Sequence, residues 1–445
     1  MTYRTLLTSA AAIAFFIGGI GVAFNAFAQN DTQAKYEENY EDYTLIHAGH
    51  VLAVPGQAPI QDATIIIHKG KIVGVEKGFL DDEDATILDK RDMFFLPGLI
   101  DSHVHLRSEW SPTSRWEPVT MEAGDRAFQA AKHAKTTLMA GFTAVQDVGG
   151  PKEIFALKRA INAGLVPGPH IQAAGSAISV SGGHGDAHGF KDDLLHMMRS
   201  ETVCDGPSDC RRAVRQAVKN GADVIKITAT GGVLSNTNAG TGQQFFDDEL
   251  KAIVEAATKM GRKVTAHAHG KTGIESALKA GVQSIEHGTY LDATTARLFK
   301  RYDATLVPTI MAGMTVVDWA NNSDWLPPNS AKKALEVGPQ MQEMASIAYQ
   351  NGIKIAFGTD TGVSKHGDNA QEFKYLIKAG MSEQEAIASA TTIASKHIGL
   401  GDVIGTLEGG KYADVIGVYG NPLNNIEELL DVDFVMKGGI IYKNK

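Results

Sequence analysis

The sequence predicts an α/β protein, a (β/α)8 TIM barrel with a small β-sandwich domain built from both chain ends. Three observations predict it. Eight short apolar runs alternate with helical stretches through the middle of the chain, the pattern of repeated βα units around a parallel sheet. The helical stretches end in glycine just before the next run, at Gly141, Gly164, Gly221, Gly261, Gly281 and Gly352, where a left-handed residue closes a helix. Polar residues with ligand chemistry stand at the C-terminal ends of five of the runs, where a barrel gathers reactive groups at one mouth. A doubly wound open sheet shares the alternation, and the third observation favours the barrel over it.

Composition fits a chain with a core. Of 445 residues, 43 % are hydrophobic and 21 % charged, and the 47 glycines and 14 prolines are scattered, which excludes disorder and collagen-like repetition. The net charge of −9, from 42 basic and 51 acidic residues, leaves no basic face for phosphates, so nucleic acid is not an expected partner.

Residues 1–28 read as a signal peptide. Arg4 supplies a basic start, Leu6 to Phe24 are apolar, and Ala26-Phe27-Ala28 fits cleavage before Gln29. Removal takes away Arg4 alone and leaves −10, 41 basic minus 51 acidic. The alternative is an uncleaved anchor, since the run is nearly long enough to span a bilayer. Either way the remainder is exported, to the periplasm or beyond, and after cleavage no stable membrane insertion is expected. Cys204 and Cys210 flank Asp-Gly-Pro-Ser-Asp, a spacing unlike CxxC motifs. In an oxidising compartment they either close a small loop as a disulfide or stand as two thiols near a helix start.

A polar linker follows at 29–40. The first part of the sandwich spans 41–95, with β-branched runs at Tyr43–His47, Ala63–His68, Lys71–Val75 and Thr86–Leu88. The second spans 403–445, with runs at Ala413–Tyr419, Asp433–Lys437 and Ile440–Tyr442. Each part alone is marginal, so the two are expected to combine and bring the chain ends together. Between them, residues 96–402 form the barrel. Its strands are expected in Phe94–His105, Thr143–Val148, His170–Gly175, Asp223–Thr228, Lys263–His267, Ser284–His287, Thr305–Thr309 and Lys354–Asp360.

The strand ends carry the chemistry. His103 and His105 lie two apart after the first strand, so a period of two points both imidazoles onto one ion. Lys226 interrupts the apolar fourth strand, which should be buried on both faces. Burial disfavours its ammonium, and the neutral amine can take up carbon dioxide as a carbamate, an anion able to bridge two cations. The fifth strand ends in His267-Ala268-His269, and spacing does not say which of the two ligates. The sixth ends in Glu286-His287 and the eighth in Gly358-Thr359-Asp360. Taken singly, His287 reads as a core histidine and Asp360 as a helix cap; together, the five strand ends point to a metal site.

Pro97-Gly98-Leu99-Ile100-Asp101-Ser102-His103-Val104-His105 resembles the opening signature of the amidohydrolase superfamily of metal-dependent hydrolases. That superfamily's barrel with a split β-sandwich matches the layout above, and the resemblance runs from about residue 43 to the C-terminus. Ser181-Gly182-Gly183-His184-Gly185-Asp186, Ala229-Thr230-Gly231-Gly232-Val233, His267-Ala268-His269-Gly270, Glu286-His287-Gly288-Thr289 and Gly358-Thr359-Asp360-Thr361-Gly362 narrow it. They are similar to the imidazolonepropionase-related branch, which contains carboxylated-lysine dipeptidases of the Xaa-Pro and Xaa-Arg type and amidohydrolases that cleave ochratoxin A.

The resemblance implies two divalent ions, zinc foremost. His103, His105 and Asp360 hold one, His267 and His287 the other, and N6-carboxylated Lys226 bridges them. It makes Asp360 the general base and leaves His269 behind the ligands; His184, His269, Gly232 and Val233 are the expected substrate-binding residues. The implied reaction is cleavage of the amide bond of an N-acyl amino acid or dipeptide, ochratoxin A included, by a metal-bridging hydroxide. It also implies a homo-oligomer, with an octamer as one size. In the stretch after the third strand, 177–207, which also holds His188, His184 is expected to bind the tetrahedral intermediate or the leaving carboxylate. A loop at 310–330, with Met311, Met314, Trp319 and Trp325, either covers the substrate's hydrophobic side or packs on a neighbouring subunit. Two other readings are hydrolysis or deamination of an imidazole- or pyrimidine-like ring, and a catalytically silent barrel that only binds. Lys226 argues against the mononuclear deaminase form, and the complete ligand set against the silent one.

Overall fold

The structure, a computed structural model, describes residues 43–235 and 240–445, so the signal peptide at 1–28 and the linker at 29–40 lie outside the described residues. The chain begins with β1 (Thr44–Val51), β2 (Ile60–His68), β3 (Lys71–Lys77) and β4 (Thr86–Pro97). The barrel region follows with β5 (Leu99–Val104), β6 (Phe142–Asp147), β7 (His170–Ala173), β8 (Val224–Thr228), β9 (Lys263–Ala268), β10 (Ser284–His287), β11 (Thr305–Val307) and β12 (Lys354–Ile355). It ends with β13 (Val415–Val418), β14 (Phe434–Lys437) and β15 (Ile440–Asn444). Among the described residues no helix is long and apolar enough to cross a membrane.

Both chain ends feed one sheet of seven strands, ordered β15-β14-β13-β4-β1-β2-β3. The expectation was a sandwich; strand pairing makes it a single sheet that folds back on itself. The cause is β4, long enough to pair parallel with β1 from Thr86 to Phe95 on one edge and antiparallel with β13 through Phe94–Pro97 on the other. At the far edge, Ile72 of β3 donates to Lys411 O (2.9 Å) and accepts from Gly410 N (2.8 Å), which returns the sheet to the approach to β13. The curl encloses its own apolar cluster, including Ile46, Ile65, Ile72, Phe95, Val415 and Phe434.

Each of the eight expected barrel runs contains a parallel strand. The first run divides, however: Phe94–Leu96 belong to β4, and β5 starts only after Gly98. A side chain at Gly98 would collide with Thr143, whose Oγ1 stands 2.2 Å from a Cβ built there. The strands form a five-stranded sheet, β12-β11-β10-β9-β8, and a three-stranded one, β5-β6-β7. Backbone hydrogen bonds cross both junctions. Asp360 N donates to His103 O (2.8 Å) and His105 N to Thr361 O (2.7 Å) on one side; Ile178 N donates to Lys226 O (2.8 Å) on the other. β5, β6, β8, β10 and β11 are buried along their whole length, as parallel strands covered on both faces should be.

The six glycines expected to close helices all have positive φ, from 64° at Gly352 to 114° at Gly221. Cys204 and Cys210 form a disulfide, which fixes the end of the 177–207 stretch to the helix Pro207–Asn220. The 310–330 stretch is not a loop. It is the helix Ile310–Asn322 and the start of the helix Pro328–Gln350, and its apolar residues recur at helical spacing.

Candidate metal centre

A cavity of about 310 Å³ opens at the C-terminal ends of the barrel strands. His103, His105, Lys226, His267, His287 and Asp360 all reach it, from five different strand ends, and so do His184, His269 and Val233. Gly232 does not line it. Instead its bare Cα seats the His184 ring, which would lie 2.2 Å from any Cβ there.

The first strand end is built around Asp101. One carboxylate oxygen accepts from His103 N and Thr359 N (both 3.1 Å), and the other from Thr359 Oγ1 (2.6 Å) and Asn369 Nδ2 (2.8 Å). This ties β5 to the segment carrying Asp360. As a result His103 Nε2 and His105 Nε2 stand 3.4 and 3.1 Å from Asp360 Oδ1. That oxygen is buried without a hydrogen-bond partner.

The opposite ring nitrogens are held from behind. His103 Nδ1 meets Glu286 Oε2 at 2.7 Å, and His105 Nδ1 donates to Gly149 O at 2.8 Å. His287 Nδ1 lies 2.7 Å from Thr309 Oγ1, whose own hydroxyl donates to Pro308 O at 2.8 Å, so Thr309 must accept the imidazole proton. His269 Nδ1 contacts Thr289 Oγ1 at 2.7 Å. With Nδ1 engaged, the Nε2 lone pairs are left for the cavity, the usual orientation of metal-binding histidines. His287, Thr309 and Asp360 also adopt left-handed backbone (φ 72°, 50° and 57°), strain of the sort that collects at functional sites.

Electrostatics agree with this geometry. Burial drives His267 and His287 well below the ordinary imidazole value and takes His269 to about 4 and His184 to about 3, so these rings are neutral ligands or donors. His103 differs, because Asp360 and Glu286 outweigh burial and Lys226 and raise it. Burial also lowers Lys226, whose Nζ has no carboxylate within 4.0 Å among the described residues. Burial opposes ionisation of Asp360 and Glu286 too, but His103 and His105 hold Asp360 well below its usual range, and His103 holds Glu286 at about 2. Imidazole nitrogens, a carboxylate and a lysine amine suit a divalent ion that takes nitrogen and oxygen ligands. Two groups of three fall within ligand reach, His103 with His287 and Asp360, and His267 with His269 and His287. His267 and His269 are thus both near His287, and His267 Nε2 is 3.4 Å from Gly231 O.

Part of the cavity lining is apolar. Ala312, Gly313 and Val316 face it from one helix, and Val337 and Met341 from the next. Met311, Met314, Trp319 and Trp325 do not line it; the two tryptophans pack on each other at 5.0 Å. Sequence reasoning assigned no role to Glu286, Thr309 or Lys333. Glu286 was signalled by a carboxylate inside an apolar strand. Lys333 was not: its Nζ donates to Gly232 O and Ser235 O (both 2.7 Å) from a helix about a hundred residues away, bracing the segment that seats His184.

A further group, Glu109, His133 and His366, also falls within ligand reach. Its two rings stack at 4.3 Å and 18°, so their lone pairs run side by side rather than converging. His133 Nδ1 donates to Leu106 O (2.9 Å) and His366 Nε2 to Ser108 O (3.0 Å), which makes the pair a clamp on the loop after His105.

Residues 94–441 match the amidohydrolase family. An ochratoxinase from Aspergillus niger is 31 % identical over 426 residues, covering 90 % of this chain and 86 % of the relative. A crystal structure of a Xaa-Pro dipeptidase with methionine bound in its active site superposes with a TM-score of 0.86 at 40 % identity, covering 91 % of this chain and 100 % of the other. The crystal structure of A. niger ochratoxinase gives 0.79 at 30 % identity, covering 91 % and 96 %.

Proposed function

We propose, from the premise that the chain belongs to the amidohydrolase family and is a hydrolase acting on amide bonds, that it is a two-metal enzyme cleaving an N-acyl amino acid or dipeptide. Xaa-Pro dipeptides and ochratoxin A head the substrates, by analogy with the relatives named for them. The observation that carries this reading is the convergence of His103 Nε2, His105 Nε2 and the unpartnered Asp360 Oδ1 beside the buried Lys226. In this assignment His103, His105 and Asp360 would hold one cation, zinc by preference, and His267 and His287 the other, with Lys226, once carboxylated, as the anionic ligand shared by both.

When bound, the cations supply an acidified water and a polarised substrate carbonyl. The protein's own groups do the rest. Asp360 is ionised and accepts the proton of the attacking water, then returns it to the departing amine nitrogen. Glu286, Gly149 and Thr309 fix the ring orientations of His103, His105 and His287. His184, neutral and with Nδ1 unpartnered, offers an N–H to the oxygen that becomes negative as the amide carbon turns tetrahedral. The apolar wall takes a non-polar substrate group and limits water.

The same reading takes the two parallel sheets as one closed barrel, supported by the hydrogen bonds across both junctions. It places the enzyme outside the cytoplasm as a homo-oligomer, and the Cys204–Cys210 disulfide suits that oxidising location. Metal content per chain, measured alongside release of phenylalanine from ochratoxin A and of proline from Xaa-Pro dipeptides, tests the proposal. About two ions with amide cleavage are expected. One ion with no amide cleavage would overturn it.

A further inference from the structure

Arg107 lies two residues beyond His105 and lines the cavity with it. It is partly buried, yet among the described residues it has neither a hydrogen bond nor an ion pair. The surrounding carboxylates are committed elsewhere or out of contact. Glu153 pairs with Arg126 at 3.3 Å, and Asp147 accepts from Leu106 N (2.8 Å) and Gly149 N (3.3 Å). Asp360 faces His103 and His105, while Glu117 acts on Arg107 only through space. A guanidinium keeps its charge at any working pH, and leaving that charge partly desolvated without an anion is costly. The cavity therefore holds a cation whose counter-charge is not in the protein.

The loop that carries it is built to stay still. The carbonyls on either side of Arg107, those of Leu106 and Ser108, accept from the stacked His133 and His366, and Leu106 N donates to Asp147. His366 N, in turn, donates to Glu109 (2.9 Å). Four hydrogen bonds thus hold the four-residue segment that presents the arginine to the cavity. Preorganisation of this kind lowers the entropy lost on binding a ligand.

We infer that Arg107 binds the free carboxylate of the substrate's leaving amino acid, so that the enzyme acts at the C-terminal residue and takes compounds with a free carboxylate next to the cleaved amide. This rests on the amide-hydrolase reading above and adds the substrate's charged end to it. The planar fork matches a carboxylate in bidentate fashion. The same cavity is also lined by Ala312, Gly313, Val316, Val337 and Met341, which take a non-polar group. A charged residue and apolar surface in one cavity select an amphipathic acid.

The test compares wild type with Arg107→Met and Arg107→Lys on N-acetylphenylalanine and N-acetylphenylalaninamide, scoring only cleavage of the acetyl bond. Wild type should favour the acid by about 100-fold in kcat/KM. Arg107→Met should abolish that preference through KM, with the neutral substrate and the metal count unchanged, and Arg107→Lys should recover part of it. An equal loss on both substrates, or a preference that survives Arg107→Met, overturns the inference. Calorimetric binding of L-phenylalanine and L-phenylalaninamide to the same proteins separates the two proposals. If wild type cleaves neither substrate, the amide-hydrolase reading fails, while Arg107-dependent binding of phenylalanine still supports this one and Arg107-independent binding overturns it.

Discussion

Glu286→Gln changes one oxygen for an NH2 group and should nevertheless disarm a ligand. In the folded chain Glu286 Oε1 accepts from the Thr265 hydroxyl and from Ser284 Oγ at 3.2 Å, while Oε2 faces His103 Nδ1 at 2.7 Å. A glutamine keeps its carbonyl oxygen where the two hydroxyls donate, which turns its NH2 group toward His103. The imidazole must then accept at Nδ1 and carry its proton on Nε2, the nitrogen that points at Asp360. His103 and Glu286 are 1 % and 0 % exposed, so water cannot step in to restore the tautomer. Loss of an outer partner of this kind weakens metal binding about 10–100-fold, or about 1.4–2.7 kcal/mol. Competition against a chelator of known affinity reads this directly, with a thermal melt of the metal-free proteins as the control for folding. Unchanged affinity in a folded Glu286→Gln protein would refute the tautomer argument.

Other changes follow from the same contacts. Lys226→Ala should lose metal and activity together, and full metal content with a normal rate would remove Lys226 from the site. His184→Ala should lower kcat about 100-fold at unchanged metal content, and Gly232→Ala, which drives a methyl group into the His184 ring, should do the same; a normal kcat in both would take His184 out of the chemistry. Burial pushes the Glu372 carboxyl up to about 8 from 4.5, although it caps Ile310 N (2.9 Å) and Met311 N (2.7 Å). The folded state therefore holds this proton more tightly than the unfolded chain. Its contribution to stability is full below pH 4.5 and is lost as the pH rises through about 8. Urea unfolding at several pH values should show that decline, flattened in Glu372→Gln; parallel curves would argue against it.

Much of the site was legible because a parallel strand ends in a fixed place. Once Val224-Ile225-Lys226-Ile227 reads as a strand buried on both faces, the position of Lys226 near the mouth follows, and the same holds for His287. The glycine caps were legible too, because a left-handed residue leaves few choices. What could not be read depends on contacts distant in sequence. Lys333 reaches Gly232 and Ser235 from another helix, and no local pattern marks it. The 310–330 stretch misled through its methionines and tryptophans, when Ala312, Gly313 and Val316 were the residues placed against the cavity. Phe94–Leu96 likewise read as the start of the barrel, since an apolar run does not say which of two adjoining sheets a strand joins.

The double pairing of β4 has a consequence for how the chain is made. Phe95 pairs with Gly417, a partner 322 positions later (417 minus 95), while Leu99, four residues on, already pairs with Phe142. A polypeptide that emerges N-terminus first thus exposes an apolar strand edge for nearly its whole synthesis before β13 can cover it. Bare edges of this sort template aggregation, and pairings so remote in sequence form late. The most vulnerable period for this protein is therefore the interval before its last strands arrive, when the residues leading into His103 and His105 still have one side open.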